Sequence, residues 1–288
     1  LNCYLSVIIP KGDAAELRQL LNARERAIGF QNRCINELHA LITKMFPEFF
    51  QLNKSVKSKT AQYLLQNCID PERVVEVDTE RLIREVKKIS RGQYSREKVY
   101  KYQELAKDTV GVREGKKAIL KEIKFLVATL IEKTKCVEEF ERDISEILQR
   151  VPFAKNIMSI KGIGEITTAA ILGETAIFQN MRLSQEVEKL AGYNLFEISS
   201  GKHRGQKRIS KHGRSLLRKM LYFGALNVIK HDGVFKERYQ VHLSKGMPKN
   251  KALVAIARKL LRVIFALVRD DVYFEEEYQQ QPVISKAA

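Results

Sequence analysis

Between Ile119 and Val151 the positions Ile119, Ile123, Leu126, Leu130, Lys133, Val137, Phe140, Ile144, Ile147 and Val151 advance in alternating steps of four and three residues, and only Lys133 is polar. A 3.5-residue period of this length demands one long helix with an apolar seam, the signature of a coiled coil. The seam has to be covered. Either a second copy of the chain covers it, making a dimerisation arm, or another helix of the same domain does. Residues 13–46 offer that helix: Leu17, Leu20, Leu21, Ile28, Ile35, Leu38, Leu41 and Ile42 recur at helical spacing, Asp13 is a candidate N-cap, and Pro47 stops the run.

Residues 54–102 read as several shorter helices with breaks at Asp70-Pro71 and Arg91-Gly92. Pro152 ends the periodic helix, and a new domain is expected after it. There, helices are expected over 157–173 (two, with a tight turn between them), 182–191, 214–230 and 249–269. No convincing run of alternating strands is found.

The net charge of +17 exceeds what a small-molecule enzyme needs and favours a polyanionic partner. A membrane-spanning role fails, because the most apolar stretch is interrupted by Arg258, Lys259 and Arg262. Residues 1–10 lack the basic start of a signal peptide, so a cytoplasmic protein is expected. Cys3, Cys34, Cys68 and Cys136 are too far apart for a zinc site or a disulfide framework. Aromatic residues make up 8% with no Trp, too sparse for a base-stacking platform of the single-strand-binding type. Double-stranded DNA is the expected partner.

Two segments carry the chemistry. In IMSIKGIGEITTAAILGE (157–174), Gly162 and Gly164 flank Ile163 inside an apolar frame, the pattern of a helix-hairpin-helix. Glycines allow a tight turn with exposed N–H groups, and the following helix N-terminus adds partial positive charge, so a DNA phosphate can sit there beside Lys161. A plain αα-hairpin turn without a ligand is the alternative. The second segment holds Lys202, Arg204, Lys207, Arg208, Lys211, Arg214, Arg218 and Lys219 with His203 and His212, and no acid occurs from residue 198 to residue 231. Such density repels itself unless an anion neutralises it. Ser199-Ser200-Gly201 stands at the edge of this stretch. By residue type alone it is a turn, although the surrounding cations could stabilise a phosphoryl transition state if a hydroxyl attacked.

The order SIKGIGEITTAAILGE, LAGYN, SSGKHRGQKRISKHGRSLLRKMLYFGAL, KNKALVAIARKLLRVIFAL resembles the C-terminal domain of the insertion-sequence 110/116/902 transposases over about residues 155–270. In that family a serine in a Ser-Gly pair precedes an Ile-Ser-Lys-x-Gly block by nine or ten residues. Ser200-Gly201 stands nine before Ile209-Ser210-Lys211-His212-Gly213, so the resemblance makes Ser200 the nucleophile, with Ser199 second. It also implies a serine–DNA phosphodiester, a homo-oligomer (a dimer or tetramer), and in some members a structured guide RNA. An N-terminal RuvC-like domain of the family holds divalent metal ions, expected to be Mg, on four acids, the last two in a D-x-x-D-A segment. Here Asp13-Ala14 has Pro10, not an acid, three residues earlier, so no metal ligand is assigned.

The chain opens on Leu1, and a truncated piece of a longer reading frame, inactive alone, is expected. The expected fold is mainly α. Residues 1–110 would be a helical remnant following the RuvC-like domain, 111–151 a coiled-coil arm, and 152–288 a compact helical domain containing the helix-hairpin-helix and basic loop. The expected function is serine attack on DNA during insertion-sequence transposition, using Ser200. Lys161, Gly162, Gly164, Lys202, Arg204, Lys207, Arg208, Lys211 and Arg214 are expected to hold nucleic acid. Two alternatives are a non-catalytic helix-hairpin-helix module that binds DNA or RNA, and a coiled-coil assembly protein with an incidental basic face.

Overall fold

In the structure, a computed structural model describing residues 9–178, 181–196 and 208–275, these patterns become helices almost throughout. The order is α1 (Asp13–Met45), α2 (Phe49–Leu52), α3 (Lys59–Asn67), α4 (Pro71–Glu76), α5 (Thr79–Ser90), α6 (Arg96–Lys107), α7 (Lys116–Arg150), α8 (Ala154–Met158), α9 (Glu165–Glu174), α10 (Ser184–Ala191), β1 (Leu195–Phe196), β2 (Arg208–Ile209), α11 (Ser215–Val228), α12 (Val234–Ser244) and α13 (Lys249–Asp270). The fold is mainly α. The two strands are of two residues each, too short to show as alternation in the sequence.

The chain divides into two units. An inserted unit comprises Arg24–Glu139, and a split unit joins the residues up to Ala23 with those from Phe140 onward. In the inserted unit, Cys34, Leu38, Ile42, Phe46 and Phe49 share a core with Leu64, Leu65, Val86 and Tyr102, and with Ile119, Ile123, Leu126 and Leu130 of α7. The first half of the 3.5-residue seam is therefore covered by this chain's own helices. Its last positions, Ile144, Ile147 and Val151, are buried in the core of the split unit.

Polar side chains set the helix ends in the inserted unit. Ser58 Oγ accepts from Ala61 N (3.1 Å), and Asp78 Oδ1 accepts from Arg81 N (2.6 Å). Gln103 Nε2 donates to Val74 O (3.1 Å) and Val77 O (2.9 Å), tying α6 to the end of α4. Gly111 runs so close to the end of α1 that a Cβ there would lie 1.7 Å from Met45 O, so no other residue fits. Cys34, Cys68 and Cys136 are free thiols, and burial pushes the first two above the ordinary thiol value, which makes them weak nucleophiles. Among the described residues no helix is long and apolar enough to cross a membrane.

The split unit is built around α11 and α13. Leu217, Leu221, Ala225 and Val228 pack with Ile256, Leu260, Ile264 and Val268, and Ala169, Ala170 and Leu172 of α9 join them. Gly224 lets the turn before α9 and helix α13 approach α11: a Cβ there would meet Ile163 Cδ1 and Leu260 Cδ2, each at 3.1 Å. Two buried acids hold the periphery. Glu174 is 2% exposed and pairs with Arg18 (3.3 Å) and Arg214 (3.4 Å). Glu188 is 4% exposed and pairs with Arg258 (2.7 Å) and Arg262.

Candidate nucleic-acid interface

The hairpin glycines do different jobs. Helix α8, the turn over residues 159–164 and α9 make a helical hairpin, and Gly162 takes φ +99° within it. A Cβ on Gly162 would meet His231 Cδ2 at 3.0 Å and the Asn227 carbonyl carbon at 3.1 Å, so this glycine is required where the turn packs on the end of α11. Gly164 is the exposed N-cap of α9, in extended backbone (φ −103°, ψ 177°), and a Cβ there would meet nothing. The fold therefore does not demand glycine at Gly164. Lys161 is exposed beside it, and Glu165, which accepts from Ser145 Oγ (3.2 Å), places an acid in the first turn of α9. Gly162→Ala is expected to lower the urea midpoint, by about 1–3 kcal/mol of strain at a positive φ. Gly164→Ala should leave the midpoint unchanged, and DNA affinity measured on that folded variant tests whether phosphate reaches its backbone.

A second construction lies at the other end of α11. Strand β1 pairs antiparallel with β2, Leu195 opposite Ile209 and Phe196 opposite Arg208. Behind this ladder the LAGYN and SKHG motifs lock together. Gly192, the left-handed C-cap of α10 (φ +70°), accepts from Lys211 N (3.0 Å), while Arg214 N donates to Leu190 O (2.8 Å) and Ser210 N to Asn194 O (2.9 Å). A Cβ on Gly192 would fall 2.8 Å from an Arg218 guanidinium nitrogen and 2.9 Å from the Lys211 carbonyl carbon, and one on Gly213 would fall 2.3 Å from Leu190 O. The chain reverses here through Lys211, whose φ of +56° is costly for a residue with a Cβ.

Ladder, α11 and α13 enclose an open cleft of about 270 Å³, lined by Tyr193, Ile209, Lys211, Ser215, Arg218, Lys219, Tyr222 and Val254. Lys211, His212 and Lys219 are exposed. Arg218 is half-buried and donates to Ala191 O (3.0 Å), which fixes its guanidinium at the rim. Burial pushes the Tyr193 phenol above its ordinary value, so it stays a donor, bonded to Arg218 O (3.0 Å).

The expected site residues are thus sorted. Ser199, Ser200, Lys202, His203, Arg204 and Lys207 lie outside the described residues. Lys211 sits in the cleft with Arg218 and Lys219, and Arg208 is exposed on β2 at its edge. Arg214 is placed differently. Its side chain is only 13% exposed, donates to Glu174 O and pairs with the Glu174 carboxylate, and burial together with neighbouring Arg18 holds it below the ordinary guanidinium value. It positions the start of α11.

The hairpin and the cleft are not brought together. Gly162 faces Asn227 and His231, whereas Ser215, Arg218, Lys219 and Tyr222 line the cleft. The cleft residues lie in the first two turns of α11, whereas Asn227 lies in its last turn and His231 beyond its end. The sequence reading missed Tyr193, Tyr222 and Val254 as cleft residues, since apolar residues on a helix announce a core and not a surface. It also missed the buried acid pairs, for which the four-residue spacing of Arg258 and Arg262 was the available signal. Among the described residues no three His, Cys, Asp or Glu side chains gather in a group that could hold a metal ion.

The described residues thus form a helical protein with an open cleft rimmed by Lys211, Arg218 and Lys219. Residues 154–240 match the model of the Transposase IS116/IS110/IS902 family. It is 25% identical over 175 residues to the transposase for insertion sequence element IS1111A of Coxiella burnetii, covering 59% of this chain and 47% of that protein. It is 31% identical over 135 residues to an insertion element IS900 protein of Mycobacterium paratuberculosis (46% and 33% covered). It is also 22% identical over 260 residues to an insertion element IS116 protein of Streptomyces clavuligerus (90% and 64% covered). The chain therefore spans between 33% and 64% of the length of these relatives.

Proposed function

We propose that this chain acts in DNA transposition by an insertion sequence, with Ser200 as nucleophile on a DNA phosphodiester. The observation that carries the reading is the family match over residues 154–240, which contains Ser200-Gly201 at the family's spacing before Ile209–Gly213. In the reaction the Ser200 Oγ–phosphorus bond forms and the bond from phosphorus to the leaving deoxyribose oxygen breaks. Oγ loses its proton and the leaving oxygen gains one, so the phosphodiester is conserved as a protein–DNA link. Lys211, Arg218 and Lys219 support the charge that develops on the phosphoryl oxygens and hold the neighbouring backbone. The full family activity also draws on an acidic domain with divalent metal ions, for which this chain has no assigned ligands.

The test incubates the chain with DNA carrying the ends of an insertion sequence, with the acidic domain and Mg supplied, and looks for a covalent adduct. Loss of the adduct in Ser200→Ala with DNA binding retained supports the reading. An adduct that survives Ser200→Ala and disappears in Ser199→Ala moves the nucleophile by one residue. No adduct from any version, with binding intact, favours a non-catalytic module. Binding itself should weaken with salt: in the double variant Lys211→Ala, Lys219→Ala the slope of log K against log salt should become shallower by about 0.9 for each phosphate that is no longer neutralised. Titration of one duplex at several ionic strengths measures this.

A further inference from the structure

The cleft is built for more than a phosphate backbone. Backbone-binding surfaces need cations and N–H groups, whereas the floor of this cleft is apolar: Ile209 from β2, Val254 from α13, and the ring of Tyr193, which is 1% exposed. One wall is the ring of Tyr222, held by its hydroxyl, which donates to Asn250 Oδ1 (3.3 Å) at the start of α13. The rim on the ladder side carries Lys211, and the α11 side carries Ser215, Arg218 and Lys219. No acid faces it from the chain between residues 198 and 231, and the first turn of α13 carries none either.

From this arrangement we infer that the cleft takes one unpaired nucleotide of a DNA strand, with its base against Tyr222, Ile209 and Val254 and its flanking phosphates on Lys211, Arg218 and Lys219. A base inside a duplex has both faces stacked and cannot offer one to Tyr222, so the nucleotide has to leave the helix. An aromatic wall recognises any base, because every base has a π-face, and the cations at the rim recognise the backbone. This inference rests on the nucleic-acid reading above and adds to it the kind of nucleotide bound.

The experiment compares two short duplexes of one sequence, fully paired or with a single bulged nucleotide, by fluorescence anisotropy with the whole chain. The bulged duplex should bind about 5- to 100-fold more tightly, the range expected for one base stacked on an aromatic ring. Tyr222→Ala should remove the difference between the duplexes, and Tyr222→Phe, which keeps the ring, should retain it. A circular dichroism spectrum of each variant establishes that α11 is still folded. Equal binding of both duplexes by the unaltered chain overturns the inference and leaves the DNA-binding reading standing. A preference that persists in Tyr222→Ala also overturns it. Binding of neither duplex brings down both readings.

Discussion

A chain carrying Gly213→Ala is expected to lose about 4 kcal/mol of stability in its split unit and, with it, the cleft. That figure combines backbone strain at a positive φ with the loss of two or three hydrogen bonds at about 1 kcal/mol each. Gly213 holds φ +149°, and the added Cβ would lie 2.3 Å from Leu190 O and 2.8 Å from Gly192 N. Both neighbours are backbone, so no side-chain rotation relieves the overlap. The chain on either side has to move, which breaks Lys211 N→Gly192 O (3.0 Å) and Arg214 N→Leu190 O (2.8 Å). Domains are stable by only about 5–15 kcal/mol in total, so the variant should be partly unfolded near physiological temperature. Urea unfolding followed by circular dichroism measures the loss, with Gly164→Ala as the control that meets open space. A Gly213→Ala chain with an unchanged midpoint would mean that α10 and the loop before α11 do not pack as described.

The helices were legible because their apolar positions recur on one face. The helix expected over 13–46 is α1 (Asp13–Met45), and the one expected over 249–269 is α13 (Lys249–Asp270). Asp70-Pro71 and Arg91-Gly92 mark real boundaries, Pro71 opening α4 and Arg91 closing α5 in the left-handed conformation. Helix α12 was missed. Among its residues only Phe235 is buried, so its apolar side chains make no stripe. Side-chain partnership was less legible than helical phase. Arg214 and Lys211 both belong to one basic run, yet Arg214 turns inward to Glu174 while Lys211 stays exposed. What separates them is an acid 40 residues upstream in sequence from Arg214, a pairing that local charge counting cannot see. Likewise, only the folded chain shows that Gly213 is required by the backbone of Leu190 and Gly192, and Gly192 by that of Lys211 and His212.

Glu188→Ala should be the other severe substitution, at about 2–3 kcal/mol, because it leaves the partly buried Arg258 guanidinium without its counter-charge, whereas the more exposed Arg262 can turn to water. Glu188 receives Arg258 Nε (3.1 Å) and Nη2 (2.7 Å) and also Arg262 Nε, joining α10 to α13. Burial pulls the Glu188 carboxyl upward, but the hydrogen bonds from Arg262 and Arg258 outweigh it and hold the group below its ordinary value of 4.5. The sign of the pH dependence follows. With the folded pKa below the unfolded one, the contribution is complete above pH 4.5 and fades as pH falls through the folded value. Glu188→Gln keeps the shape and removes the titration. Its urea midpoint should start lower than that of the unaltered chain at neutral pH, and the gap should narrow as pH is lowered to about 3. A gap that stays constant over that range would mean the carboxylate is not what the two arginines hold. Since α10 ends at Gly192, loosening it from α13 also releases the turn that sets Lys211 at the cleft, so DNA affinity should fall together with the midpoint in Glu188→Ala.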